Sequence, residues 1–267
     1  GCFIVAGAAL AWFIVAELRN PAPLLQIRLL AERNFGISMA VLTLFAIGML
    51  GGTYLLPLYM QRGLGYTALA AGSMFLPVGV IQGVLSAVSG YLTRYVRPLL
   101  LSAAGILIMA LSFWLASRFT LHTTHGHILF ILYLRGFGMG LTFAPLNLFS
   151  LKNLTQQDMA AAAGISNSIK QLAGSIGIAL LTVIFSARTS YHAAHETVSA
   201  AQTYVEGVTD ALRVVAVITL AALLPLLGVF RKKRPGKSGV KGAATPSPGE
   251  AVSGKTDKTT IYRTKPE

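Results

Sequence analysis

Two cations and four amides interrupt stretches that are otherwise apolar, and these are the side chains best placed to do chemistry. Arg135 stands in Leu134-Arg135-Gly136-Phe137-Gly138-Met139-Gly140, and Lys170 in Ser166-Asn167-Ser168-Ile169-Lys170-Gln171. On a helix Asn167 shares a face with Lys170 at i,i+3 and with Gln171 at i,i+4. A polar stripe on an apolar helix faces protein or water, not lipid. Asn147 and Gln82 are the other two amides. Tyr54, Tyr59, Phe45 and Phe143 add aromatic surface that either meets lipophilic cations and planar drugs or packs as core. Such a set can hold and orient a solute. It does not supply the converging nucleophile, base and acid of an enzyme site, so the expectation is a protein that is not an enzyme and uses no cofactor.

The elements that must carry these residues are helices of membrane length. Apolar segments run over about 35–60, 67–93, 98–117, 128–151, 160–186 and 211–230, and none contains Asp, Glu or His. About 20 apolar residues cross the hydrocarbon core, so the fold class is an all-α integral membrane bundle with six complete spans. Hydrophobic residues make up 54% of the chain and charged residues only 12%, roughly half the charged share of a soluble domain. A charge inside a span costs ~2.5–3.5 kcal/mol on insertion scales. Arg135, about 10 Å from the outer end of its helix at 1.5 Å per residue, either snorkels outward or faces a cavity or seam. Lys170 is deeper, and faces protein or water unless it too snorkels.

Four blocks follow: 1–17, the end of a truncated central helix; 18–34, a Pro-broken cytoplasmic interfacial linker; 35–230, the six-span bundle; and 231–267, a basic tail expected to be disordered. The tail holds ten basic and three acidic residues, so +7 of the formal +13 sits there, beginning Arg231-Lys232-Lys233-Arg234. A basic cluster directly after a span is an orientation signal and a contact for anionic lipids. Nucleic-acid binding would want aromatics interleaved with the charges, so no nucleic-acid partner is expected. Twelve Lys and Arg flank one side of the spans and four (Arg62, Arg118, Arg188, Arg213) the other. That asymmetry puts the C-terminus in the cytoplasm. Residues 187–210 read as the longest loop, polar and external. His122, His125 and His127 lie in an outer loop without Cys or carboxylate nearby in sequence to complete a metal site, and a single cysteine, Cys2, excludes an internal disulfide.

Small residues recur at helical spacing: Gly48/Gly52, Gly79/Gly83, Ser86/Gly90, Gly136/Gly140 and Gly174/Gly177. Such pairs let helix backbones approach closely in lipid. Pro57, Pro77, Pro145 and Pro225 should kink their helices or free carbonyls that neighbours must satisfy.

Three strings together carry a family resemblance: Gly65-Tyr66-Thr67-Ala68-Leu69-Ala70-Ala71-Gly72 with Leu76-Pro77; Leu134 to Gly140 with Pro145; and Ala163-Gly164-Ile165 through Gly177. The chain resembles the C-terminal half of a major facilitator superfamily transporter, of the fourteen-span drug:proton antiporters of the EmrB/QacA type. The resemblance implies a partner N-terminal half that carries the proton-bearing acid. It implies that segments 35–60 and 128–151 line the cavity, that 67–93 and 163–186 face the other half, and that 98–117 and 211–230 pack outside. It further implies proton-driven export of lipophilic, cationic compounds across a bacterial inner membrane, with a periplasmic adaptor as a further partner. Arg135, Lys170, Asn167, Gln171, Asn147, Gln82 and Tyr54 become the substrate and coupling set, and Gly136, Gly140, Gly174 and Gly177 the helix-packing set. Alternatives are an exporter with a dedicated substrate (a siderophore, lipid or antibiotic precursor) and a non-transporting membrane scaffold. In one place the pattern departs: Gly90-Tyr91-Leu92-Thr93-Arg94-Tyr95-Val96-Arg97 lacks the Asp of the family's cytoplasmic gate motif.

Overall fold

The computed structural model describes Trp12 and residues 27–152, 154–156, 158–195 and 199–232. The truncated helix 1–17, most of the linker and nearly all of the basic tail lie outside these residues. The described part is helical, in six membrane-length spans. A 3-10 turn, Ile27–Ala31, leads into α1, Arg33–Leu58. Next come α2 (Ala68–Ser73) and α3 (Leu76–Leu92), which together make the second span. Spans three to five are α4 (Pro98–Ala116), α5 (His125–Leu151) and α6 (Met159–His195). The sixth combines α7 (Ala200–Ala221) and α8 (Leu223–Lys232).

Local chemistry explains the boundaries. Pro57 has no N–H, so the carbonyl of Thr53 loses its helical partner. One turn later α1 widens into a π-turn over Tyr59–Gly63. The chain then reverses through Gly65, whose φ of 71° needs the freedom of glycine. Thr67 caps α2, its hydroxyl accepting from the Ala70 N–H at 3.2 Å. Pro77 stands in the first turn of α3, where a missing N–H is harmless. Inside the spans the hydroxyls donate to carbonyls one turn back. Thr43 donates to Met39, Thr142 to Gly138 and Thr182 to Ile178 at 2.7–2.8 Å, so they carry no unmet donor into lipid.

α5 packs along α4 and α3, α1 packs along α6 and α7, and α4 packs on α7. α1 and α5 meet in the middle and form the floor of a trench; α3 and α6 are its walls. Of the most apolar window of each wall, 17% and 22% of residues are buried, against 61% and 50% for α1 and α5. The walls therefore expose apolar rows: Leu76, Val80, Val84 and Val88 on α3, and Leu172, Ile176, Leu180 and Val183 on α6.

The loop expected at 187–210 is a correction. α6 continues to His195 and α7 begins at Ala200. At 1.5 Å per residue α6 is about 55 Å long, far more than the ~30 Å hydrocarbon core. No Gly or Pro occurs between Gly177 and Gly207, so α6 runs on past its apolar stretch to His195. The two helices share a polar cluster. Asp210 receives Arg213 at 2.9 Å and His192 at 3.1 Å, while Glu206 lies 3.5 Å from the other ring nitrogen of His192. Glu206 and Asp210 are thus helical, not loop, carboxylates.

Candidate functional site

Arg135 lies at neither of the two places expected for it. Its side chain is 2% exposed, enclosed by α1, α4 and α5. One terminal nitrogen donates to the Met49 carbonyl at 3.0 Å and also to the Thr53 hydroxyl. The guanidinium carbon stands 5.3 Å from the centre of the Phe113 ring. The other terminal nitrogen is buried with no hydrogen-bond partner among the described residues. Arg135 therefore ties α5 to the turn of α1 that precedes Pro57. Snorkelling fails because the carbonyl and hydroxyl on α1 are nearer than any interface, and they replace water as acceptors.

Lys170 opens onto the trench. Its ammonium sits 5.7 Å above the Phe143 ring. It borders a cavity of about 380 Å³ lined by Phe143, Asn147 and Ser150 of α5, Ser166 and Asn167 of α6, and Leu42 of α1, among others. Counting from Met159, Lys170 is about 17 Å along α6 at 1.5 Å per residue, near mid-membrane. The structure brings together Lys170, Asn167 and Asn147 of the expected set. Gln171, Gln82 and Tyr54 do not line this cavity. Gln171 is exposed elsewhere on α6, Gln82 lies on α3, and Tyr54 is in the C-terminal half of α1. Sequence reasoning missed Thr53 and the Met49 carbonyl as partners of Arg135. The available signal was Thr53 at the i−4 position of Pro57, a turn already short of one backbone bond.

The small residues divide into two groups. A methyl on Gly140 would lie 2.6 Å from the Leu85 side chain, and one on Gly136 3.1 Å from the Val78 carbonyl, so this pair seats α5 against α3. A methyl on Gly177 would lie 2.5 Å from the Ile47 carbonyl, and one on Gly174 would run into Leu50, so this pair seats α6 against α1. Gly48 and Gly52 accommodate Thr219 and Phe113. Gly79, Gly83 and Gly90 instead face open space along the trench wall.

Around the C-terminal end of α3 the Arg94 guanidinium stacks on Tyr91 at 5.5 Å, and the Tyr91 and Tyr95 hydroxyls are 3.1 Å apart. Among the described residues neither Arg94 nor Arg97 has a carboxylate in ion-pair range. Two of the three histidines near the start of α5 have aromatic neighbours: His125 lies by Tyr66 and His127 by Phe119. No group of three or more His, Cys, Asp or Glu suited to a metal occurs among the described residues.

Residues 2–178 match the model of the Major Facilitator Superfamily. The Multidrug export protein EmrB of Escherichia coli (strain K12) is 32% identical over 197 residues, covering 73% of this chain and 38% of that protein. The Fatty acid resistance protein FarB of Neisseria gonorrhoeae is 30% identical over 189 residues, 71% of this chain and 37% of FarB. The Uncharacterized MFS-type transporter YhcA of Bacillus subtilis (strain 168) is 30% identical over 189 residues, 71% of this chain and 36% of YhcA. The chain thus spans less than two-fifths of the length of these relatives. A multi-pass bundle of six membrane-length helices, matched by that model over most of its length, belongs to the major facilitator superfamily.

Proposed function

We propose that this chain is the C-terminal six-span half of a proton-driven multidrug exporter in a bacterial inner membrane, with its C-terminus in the cytoplasm. One observation carries the reading. The polar residues Lys170, Asn167 and Asn147 converge at mid-membrane on a trench whose walls are apolar, glycine-bearing and uncovered. A second bundle laid across those walls would close the trench into a midplane cavity, the arrangement used in alternating access. EmrB is named for multidrug export and FarB for fatty acid resistance, and both names support export of lipophilic solutes. The family consists generally of transporters rather than enzymes, which supports the non-enzymatic reading.

No carboxylate lines the cavity among the described residues. Glu206 and Asp210 are engaged with His192 and Arg213 on the α6–α7 hairpin. The proton-carrying acid is therefore assigned to the other half. The basic tail contacts anionic lipid, and a periplasmic adaptor would complete the export route. The test uses the full-length protein in everted vesicles energised by respiration. Ethidium-like dyes should be transported inward, and dissipating the pH gradient should stop transport. Dye transport that survives complete loss of the proton gradient would remove the antiport reading.

A further inference from the structure

We propose that the Lys170 cavity receives the acidic head of a lipophilic monoanion, so that the site selects anionic amphiphiles over the cationic ones expected from the family resemblance. This rests on the transport reading above. The charge surrounding the cavity is one-sided. Among the described residues Lys170 is the only charged one lining it, and Leu42 of α1 and Phe143, Asn147 and Ser150 of α5 are all neutral. The acid nearest to Lys170 in sequence is Asp158, twelve positions earlier and just before α6 begins, about 18 Å away at the helical rise. A cationic ligand would bring a second positive charge beside Lys170, and no carboxylate among the described residues lines the cavity to offset it. The aromatic face that might attract such a cation is taken, since the Lys170 ammonium already lies 5.7 Å over Phe143.

The donors point the same way. The Ser150 hydroxyl donates to the Asn147 carbonyl at 2.7 Å, and the Ser166 hydroxyl to the Ala162 carbonyl at 2.7 Å, so neither proton is free for a ligand. The uncommitted donors are the Lys170 ammonium and the side-chain amides of Asn147 and Asn167. Together they offer several N–H groups to one group of oxygens, as a carboxylate, sulfonate or phosphate monoester requires. Leu42, Leu151 and Ala163 line the rest and suit a hydrocarbon tail. A volume of about 380 Å³ matches a small amphiphile.

The experiment uses the full-length protein in proteoliposomes with an imposed proton gradient. Decanesulfonate and decyltrimethylammonium are the probes, equal in tail and opposite in permanent charge. Wild type should carry the sulfonate in preference. Losing one charge-assisted contact should lower the sulfonate-to-ammonium flux ratio about tenfold or more in Lys170→Met. Lys170→Glu should invert the preference and Lys170→Arg should retain it, which separates charge from packing. An unchanged ratio in Lys170→Met at normal insertion overturns the assignment, as does a wild type that carries only the ammonium probe; in that case the transport reading stands. A wild type that carries neither probe, nor any ethidium-like dye, removes the transport reading and this inference together. The same anionic chemistry could come from a lipid headgroup. Each variant is therefore run in phosphatidylcholine alone and with phosphatidylglycerol added. A Lys170 effect that appears only with phosphatidylglycerol identifies a bound lipid and overturns the substrate assignment.

Discussion

Removing the Thr53 hydroxyl should destabilise the bundle only while Arg135 is present. Arg135 is 2% exposed and reaches two acceptors on α1, the Met49 carbonyl and the Thr53 hydroxyl. Its other terminal nitrogen has no partner among the described residues, so the guanidinium has no spare acceptor to turn to. A hydrogen bond to a charged group is worth ~1.5–3 kcal/mol. Thr53 is itself exposed on the trench floor, where water or a second bundle can partly replace it, so ~1–2 kcal/mol is the better figure. Thr53→Val keeps the shape and deletes the acceptor. With ~2–4 °C per kcal/mol for a chain of this size, it should lower the melting temperature in detergent by about 2–8 °C. In an Arg135→Met background the same change should cost far less. The methionine needs no acceptor, and the lost Thr53 bond to the Met49 carbonyl at 2.6 Å leaves that carbonyl its ordinary helical partner. The double-mutant cycle should give a coupling of about 1–2 kcal/mol, well above the ~0.5 kcal/mol scatter of independent sites. Equal effects of Thr53→Val in both backgrounds would mean that Arg135 is not anchored on α1, and the assignment of its role as a tie between helices would fall.

Two shorter predictions test the two kinds of glycine and the orientation. Gly177→Ala places a methyl 2.5 Å from the Ile47 carbonyl and should cost ~1–3 kcal/mol by overpacking α6 against α1. Gly83→Ala meets nothing in the bundle and should leave thermal stability unchanged or raised by ~0.5–1 kcal/mol; a large loss in this bundle would contradict the open trench wall. Cysteine placed at Ser199 should react with an impermeant maleimide in intact spheroplasts, and cysteine at Ser238 should not; the reverse pattern would overturn the orientation.

The number and order of the spans were legible because lipid leaves little choice. A run of apolar residues with its polar groups removed must be helical to satisfy its own backbone. Ends were harder. The polar stretch Ser186-Ala187-Arg188-Thr189-Ser190-Tyr191-His192 looks like a loop by hydropathy, yet it lacks any helix breaker and continues α6 by more than two turns. Reading for Gly and Pro instead of polarity would have found it. Which of the polar residues would share one cavity was only partly legible. Spacing on one helix placed Asn167 beside Lys170, but also favoured Gln171, which points off the cavity. Asn147 joins them only because α5 and α6 face each other across the inner trench, a relation that no single-helix pattern contains.

The two intramembrane cations look alike in sequence and do different things, and what separates them is the set of acceptors within reach. Both sit in apolar helices near glycines, and both carry a charge that costs ~2.5–3.5 kcal/mol to place there. Arg135 points into the bundle, where α1 offers the Met49 carbonyl and the Thr53 hydroxyl, and Phe113 offers a ring face. Its planar fork can reach these while the charge stays covered. Its cost is met in part inside the chain, through one terminal nitrogen and the ring face, and those contacts hold α1, α4 and α5 together. Lys170 points outward over one aromatic ring, with two amides beside it and no acceptor bonded to it among the described residues. Its cost is met only by water or by something that enters the trench. A charge left unmet by its own fold at the middle of a membrane is available to a ligand, and that is the physical ground for treating Lys170, rather than Arg135, as the residue that meets the solute.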